Sequence, residues 1–593
     1  MPFLLAPAGN IEALKVAIEA GADEVYLGGS SFNARINAKN FSQKELITAG
    51  TLCRDNNVRM LITLNTLVSN KDFEAVHEYV TFLEQNVQPF AYIIQDLGLA
   101  VSLKRDFPDI VMHASTQMQQ HSSGAVGFLK DLGFSRIVLA REISAKNIKS
   151  MCKSGIECEV FVHGALCVSM SGGCLMSSMI GRRSGNKGEC AQPCRLKYEG
   201  KKDYPLSLKD LCLAGHITEL IEMDVTSFKI EGRMKSPDYV YTVTSVYRRL
   251  IDEKRNATDE EMNLLRKVFS RGGFTDGYFT GKLGASMFGM RSEIDKKLSR
   301  SIKAEKLISA PRTLFTDITE KVTPAPLKIP LKDPLKIITP SQQKGFVFRF
   351  DCKSPGINVI KKCYEHAVRI DLPVWDIERI DGLEKYAEKI SVILPRTIYD
   401  SDSSEVRKLL GYAKTAGISQ VTVSNVAHLN ICQGFYTHGD YSLNVINSET
   451  LALMEDLSFS SVMVSPEISP KYFNFSPLAK EYIVYGRLPL MQTENCILKN
   501  IGVYCRENCS VKLIDRTKAE FPVKREYKHR NIIYNSVPIY LADKIKELKR
   551  SGVGLYTLLF IDEYENEREF DKLLSLCLEK GPAPFSYTRG YYK

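Results

Sequence analysis

Long apolar runs are missing from this chain of 593 residues: no stretch of 18 or more apolar residues occurs, which excludes a spanning helix. The opening "MPFLLAPAGN" has no basic segment ahead of its apolar run, and Pro7 and Gly9 break that run. A secretory leader is therefore not expected, and a cytoplasmic location without a membrane partner is. Three catalytic signatures are absent as well. Without H-E-x-x-H, G-x-S-x-G or a P-loop, the sequence offers no support for zincin hydrolysis, a nucleophile elbow or P-loop nucleotide chemistry. Nor is one sign of charge in large excess: the net +10 suits an anionic partner but is modest for this length.

Thiols, by contrast, are present and clustered. Of fifteen cysteines, Cys167, Cys174, Cys190 and Cys194 fall in "GALCVSMSGGC" and "GECAQPC", spaced C-x6-C-x15-C-x3-C. In a reducing compartment such a cluster reads as metal ligands or redox groups before disulfides. Scattered thiols such as Cys53, Cys158 and Cys577 read as small buried hydrophobes. Four thiolates suit tetrahedral zinc or an iron–sulfur cluster. Neither pair has the tight C-x2-C knuckle of a zinc ribbon, and the glycines at 172, 173, 181, 185 and 188 let backbone wrap a larger object and donate N–H groups to sulfides. A 4Fe–4S cubane is preferred, with zinc as the alternative.

The chain is too long for one core. Over residues 1–300, β-rich runs alternate with helical stretches closed by glycine, as in "LKDLGFS". Continuous apolar strands between helices indicate βαβ units and, sustained this long, an α/β fold of the (β/α)8 TIM-like barrel type. Nine strand-like runs appear where a barrel needs eight, so one lies outside it. Residues 301–341 form a Pro- and Lys-rich connector. Residues 281–340 hold twelve Lys/Arg against six Asp/Glu, which reads as a solvated linker or as a phosphate-contacting strap through Lys328, Lys332 and Lys336.

From 342 to 593 the rhythm restarts as a diverged second barrel-like module. The stretch containing "VMHASTQM" and "VLAREIS" pairs with "YSLNVINSETLALMEDLSFSSVMVSPEIS". "VHGALCVSMSGGC" pairs with "VYGRLPLMQTENC", and "CAQPC" pairs with "CRENC".

The cysteine loop follows "CEVFVHG" and so leaves the C-terminal end of a strand, where barrel enzymes place their chemistry. Other polar strand ends should share that face. They are Asn33, Arg35, Asn65, Asp96, His113, Ser115, Gln117, Arg141, Glu142, His163, Lys209, Asp210, Lys229, Glu231 and Arg233. In "FKIEGRMKSPDY", Lys229, Glu231 and Arg233 alternate onto one face of a strand. A ring of Arg and Lys around one cavity binds a small carboxylate or phosphate.

These residues carry a resemblance. "CEVFVHGALCVSMSGGCLMSS", "CAQPCRLKY", "PLSLKDL" and "FKIEGRMKSPDYV", with the opening "LLAPAGNIEALKVAIEAGADEVYLGG", resemble the collagenase-like peptidase family of unassigned catalytic type over nearly all of residues 1–290. The two-module length and "YGRLPLMQTENC" resemble its long subgroup, which contains the ribosomal RNA 5-hydroxycytidine synthase. The resemblance implies oxygen-independent hydroxylation with an iron–sulfur cluster on four cysteines, here Cys167, Cys174, Cys190 and Cys194. It implies 5-hydroxycytidine in ribosomal RNA or 5-hydroxyuridine in transfer RNA as product, with prephenate required. Other members hydroxylate a quinone precursor, and some carry a collagenase label that the residues here do not support.

The second module departs from the pattern, because Pro489 stands where Cys167 does. Cys496, Cys505 and Cys509 remain, and Cys352 or Cys432 would have to complete a second site; the competing reading is a decayed repeat kept for RNA docking.

The expectation is an enzyme that hydroxylates C5 of a pyrimidine in structured RNA with the help of an electron donor. Arg35, Arg141, Lys229 and Arg233 would hold a dicarboxylate such as prephenate, and His113, His163 or Glu231 would move protons. A peptidase, a quinone-precursor hydroxylase and a metal-stabilised RNA-binding scaffold are the alternatives.

Overall fold

The computed structural model describes residues 1–36, 39–200, 202–295, 297, 326–328, 344–472, 478–503 and 511–592. In the first module the strands are β1 (Phe3–Pro7), β2 (Glu24–Leu27), β3 (Arg59–Leu64), β4 (Ala91–Ile94), β5 (Met112–Ala114), β6 (Phe134–Val138), β7 (Glu157–Gly164), β8 (Tyr198–Glu199), β9 (Asp210–Cys212), β10 (Ser227–Ile230) and β11 (Phe274–Thr275). The eight strands β1 to β7 and β10 pair in parallel, and the β10–β7 and β10–β1 ladders close the barrel.

Helices alternate with these strands for reasons visible in the sequence. Ile11–Glu19 starts where the Asn10 side chain accepts from the Ala13 N–H. Val126–Asp131 ends before Gly133, whose φ of 90° is the left-handed stop glycine tolerates. The surplus ninth run, "YPLSLKD", leads into β9, which lies antiparallel to β7 outside the barrel.

The second module contains β12 (Gly345–Phe350), β13 (Ala367–Pro373), β14 (Ile390–Ile393), β15 (Gln420–Val423), β16 (Tyr436–Gly439), β17 (Ser461–Met463), β18 (Ala479–Gly486), β19 (Pro489–Thr493), β20 (Val511–Asp515), β21 (Glu520–Arg525), β22 (Asn531–Tyr534), β23 (Ile539–Tyr540) and β24 (Val553–Phe560). Strands β12 to β18 and β24 form a second closed parallel barrel of eight.

The duplication is visible strand by strand. The 3-10 turn Thr116–Met118 after β5 is capped by Ser115 and ended by Gln119 at φ 59°, while Tyr441–Leu443 after β16 is capped by Asp440 and ended by Asn444 at φ 56°. This corrects one sequence pairing: the strand matching β5 is Tyr436–Gly439, and "YSLNVIN" is the turn and loop that follow it. Gly164 and Gly486 end β7 and β18 at φ 107° and 132°, and a Cβ on either would lie about 2.5 Å or less from a carbonyl oxygen. Both interiors also carry ion pairs towards the N-terminal ends of their strands. Arg136 bonds Glu24 at 2.6 Å in the first barrel, and Arg369 bonds Glu481 at 2.7 Å in the second.

The two barrels meet through their C-terminal ends. Beyond β3, β4, β5 and β6, loops of the first reach loops of the second. Asn447 donates to Asp96 (2.9 Å) and to Val68 O (2.9 Å), Asn425 donates to Gln119 O (2.7 Å), the Ser123 N–H donates to Asp400 (2.9 Å), and Tyr399 donates to Glu142 O (3.2 Å). An antiparallel sheet, β19-β22-β21-β20-β8, takes four strands from the second module and one from the first. Most of the 301–341 connector, Lys332 and Lys336 included, lies outside the described residues; the Lys328 N–H donates to Asp131 O at 2.9 Å.

Candidate functional site: four thiols and a ring of arginines

A cavity of about 330 Å3 opens at the C-terminal mouth of the first barrel. Its lining brings together Cys167, Cys174, Cys190 and Cys194 with Arg35, Arg141, Lys229, Glu231 and Arg233. Each comes from a strand end or the loop beyond it, as a parallel barrel dictates. Asn65, Ser115 and Gln117 line it too; Asp96 instead caps the helix Leu97–Asp106 and binds the second module.

The loop that carries the thiols is pinned at both faces. The Met170 and Leu175 N–H groups donate to Gln492 O (2.8 Å) and Leu490 O (2.7 Å) on β19. Ser171 donates through N and Oγ to Glu142 (2.8 and 3.0 Å), itself paired with His121 at 2.6 Å. Arg195 ties the loop ends together through Leu166 O (2.7 Å), Leu208 O (2.5 Å) and Ser207 (2.9 Å). Gly172 and Gly188 adopt φ of 75° and 84°, and a Cβ there would strike Gln117 O at 2.0 Å and Asn33 O at 2.3 Å. Those two glycines are required for the loop to lie on the barrel rim; at Gly181 a Cβ would meet nothing.

The residue types of this donor set, four thiols, are those that hold a metal–sulfur group. Burial pushes the Cys167, Cys174 and Cys194 thiols up, Cys194 to about 12, and the neighbouring thiols push further. Mutually repelling, desolvated thiolates need a cationic core to hold them deprotonated. Backbone N–H groups are already aimed at sulfur: Gln192 N–H at Cys190 (3.3 Å) and Met176 N–H at Cys174. Among the described residues, no group of three or more His, Cys, Asp and Glu is arranged to hold a metal ion. The four thiols line a shared space instead of meeting at a point.

Glu231 is the one carboxylate among the described lining residues. It meets Arg141 at 3.2 Å and Arg35 at 3.6 Å. Burial pushes its carboxyl up, but Arg35, Arg141, Lys229 and Arg233 together outweigh that and hold it below the usual range. Arg233 is fixed by Thr63 (3.1 Å), Asn33 (3.1 Å) and Asn40 (2.6 Å). Arg141 stacks over Phe161 at 4.3 Å, and Lys229 bonds Glu159 at 2.7 Å. The Nε atoms of Arg141 and Arg233 and Oε1 of Gln117 are buried without a partner. Guanidinium groups lining an open space suit a carboxylate or phosphate ligand.

The two histidines lie elsewhere. His113 sits inside the barrel on β5, where burial and then Arg136 hold its imidazole neutral. His163 packs among Tyr239, Tyr247 and Phe274, bonds Tyr247 at 3.3 Å, and is lowered to about 3, first by burial and then by Lys235. Neither lines the cavity.

Sequence reasoning missed Tyr26, Arg195, Arg271 and Met491 as lining residues. Arg195 had a signal in its place directly after Cys194; Met491 had none, because it arrives from the second barrel. In the second module Cys352 bonds Tyr534 at 2.9 Å, Cys496 precedes the helix Ile497–Asn500 and Cys432 is buried. Cys505 and Cys509 lie outside the described residues.

Similar proteins carry different names. The chain is 39% identical over 268 residues to tRNA hydroxylation protein P1 of Bacillus subtilis, covering 42% of this chain and 63% of that protein. It is 38% identical over 286 residues to the 23S rRNA 5-hydroxycytidine C2501 synthase of Escherichia coli, covering 46% and 42%. It is 34% identical over 309 residues to a collagenase of Porphyromonas gingivalis, covering 47% and 73%. The alignments thus span less than two thirds of the first two relatives. Among the described residues, no helix is long and apolar enough to cross a membrane. Since the family model matches residues 9–288 and 376–557, reaching into both barrels, the chain belongs to peptidase family U32.

Proposed function

We propose that this protein hydroxylates C5 of a pyrimidine in transfer or ribosomal RNA, using a 4Fe–4S cluster held by Cys167, Cys174, Cys190 and Cys194. The observation that carries this reading is the shared cavity: four thiols and an arginine ring at one barrel mouth. The names of the Bacillus and Escherichia relatives supply the substrate class.

Turning C5–H into C5–OH adds one oxygen atom and removes two electrons from the ring, chemistry beyond acid–base side chains alone. A cluster on these thiols supplies one-electron transfer when bound. Arg35, Arg141 and Arg233 hold an anionic co-substrate, a dicarboxylate of the prephenate type, through their guanidinium groups. Glu231, kept ionised by the arginines, is the group placed to accept a proton at its carboxylate oxygens. Structured RNA completes the partners, together with a redox partner that accepts the two electrons the ring loses while water supplies the oxygen atom. Peptide hydrolysis is less well supported, because each thiol in the cavity has three companions and no imidazole among the described residues lines it.

Nucleoside mass spectrometry of host transfer and ribosomal RNA, with and without the gene, tests the reading. Loss of one hydroxylated pyrimidine is expected. An unchanged profile, or protein that stays colourless after anaerobic purification, would overturn it.

A further inference from the structure

Three loops of the first barrel repeat one pattern that the site chemistry does not use. Each sends an arginine into the cavity and follows it at once with a large aliphatic side chain left in solvent. The pairs are Arg35–Ile36, Arg195–Leu196 and Arg233–Met234. Ile36 is 37% exposed, Leu196 48% and Met234 61%, and Met234 itself lines the cavity. They follow β2, the thiol loop after β7, and β10. Strands β7, β10, β1 and β2 are consecutive round the barrel. The second barrel covers the opposite arc, through loops after β3 to β6, and its β19 and β20 also hold the thiol loop and β8 on either side of Leu196, which itself stays exposed. The cavity is therefore roofed on one side and, on the other, bordered by an apolar lip.

The surroundings of the lip are cationic. Residues 180–202 contain seven Lys/Arg against two Glu, and Arg182, Arg183 and Lys197 are exposed. Aliphatic side chains ringed by cations match a polyanion that presents flat apolar faces, which is single-stranded or looped nucleic acid.

Resting on the RNA-hydroxylase reading, we propose that Ile36, Leu196 and Met234 form a stacking lip. It receives the bases that flank the target and, with Met234 as wedge, holds the target pyrimidine out of its stack and over the thiols. Aliphatic wedges of this kind keep base steps open in other nucleic-acid complexes. A base must leave its stack before an enzyme can reach its ring atoms.

The test uses the full-length protein and a short RNA hairpin with a pyrimidine loop, one loop neighbour replaced by 2-aminopurine, which brightens when unstacked. The unsubstituted protein should raise the fluorescence on binding. Met234→Ser and Leu196→Ser should abolish the rise and weaken binding about fivefold, as losing a buried aliphatic contact does. Met234→Leu should restore both. Unchanged fluorescence and affinity in the serine variants would overturn the proposal. So would serine variants that bind RNA normally but lose an acidic redox protein, which would assign the lip to a protein partner. Nucleoside mass spectrometry separates the two levels: hydroxylation that persists in Met234→Ser and Leu196→Ser sinks the lip alone, whereas its absence from the unsubstituted protein's RNA sinks the function.

Discussion

At the first barrel's mouth Arg35, Arg141, Arg195 and Arg233 face a cavity in which Glu231 is the one described carboxylate. At the second barrel's mouth Arg349 and Arg396 are matched by three. Arg349 reaches Asp440 at 3.1 Å and Asp351 at 3.3 Å, Arg396 reaches Asp351 at 2.7 Å and Glu526 at 3.6 Å, and Tyr534 donates to Asp351 at 2.5 Å. The space left beside Arg396 and Tyr441 is about 20 Å3. Two copies of one architecture have thus settled their buried cations differently. In the second the charges are answered by carboxylates, although Arg349 Nη1 and Arg396 Nε are also buried without a hydrogen-bond partner, and little space is left beside them. In the first they are left partly unanswered, which is costly unless an anion arrives. On the proposed reading the first mouth binds a ligand and the second only holds the fold.

The largest effect that would sharpen this contrast concerns metal. Serine in place of any one of Cys167, Cys174, Cys190 or Cys194 should remove most of the iron and visible absorption from anaerobically purified protein. Cys352→Ala and Cys496→Ala should retain both. Iron lost from the Cys352 variant would show that the second mouth also carries a centre, and the contrast would collapse.

Stability should separate the mouths next. Asp351→Ala removes the carboxylate shared by two buried guanidinium groups and should cost about 3 kcal/mol, read from urea unfolding. Glu231→Ala faces an open cavity beside a half-exposed Arg35 and should cost about 1 kcal/mol. It should also tighten the binding of a small dicarboxylate, measured by calorimetry. Equal losses of stability would mean that the first mouth, too, is structural.

Much of this was legible before any coordinates. Parallel barrels announce themselves through apolar strands between helices, and a residue just past such a strand must lie at the mouth, which placed the four thiols, Arg35, Arg141 and Glu231. Depth was not legible. His113 and His163 sit on strands, and spacing gives the face of a side chain but not its height along the barrel axis. The turn at Tyr441–Leu443 was read as strand because its apolar residues are buried by packing, whatever their local conformation. That the mouths face each other depends on contacts hundreds of residues apart, such as Asn447 with Asp96, and no local pattern encodes those.

The smallest effect is in acid. Burial pushes the Asp351 carboxyl up, but Arg396 and then Arg349 outweigh it and hold it at about 2, below its ordinary 3.8. A carboxyl lowered by folding adds stability that is complete above 3.8 and lost as pH falls through about 2. The contribution is of order 2 kcal/mol. Arg396→Met removes the first of the lowering partners, so the acid limb of unfolding should move up by about one pH unit, followed by near-ultraviolet circular dichroism. Glu231 is lowered by four cations, so Arg35→Met, which removes one, should move the limb less. The reverse order would mean that Glu231 depends on Arg35 alone and that the first mouth is a closed ion pair, not a cationic ring waiting for an anion.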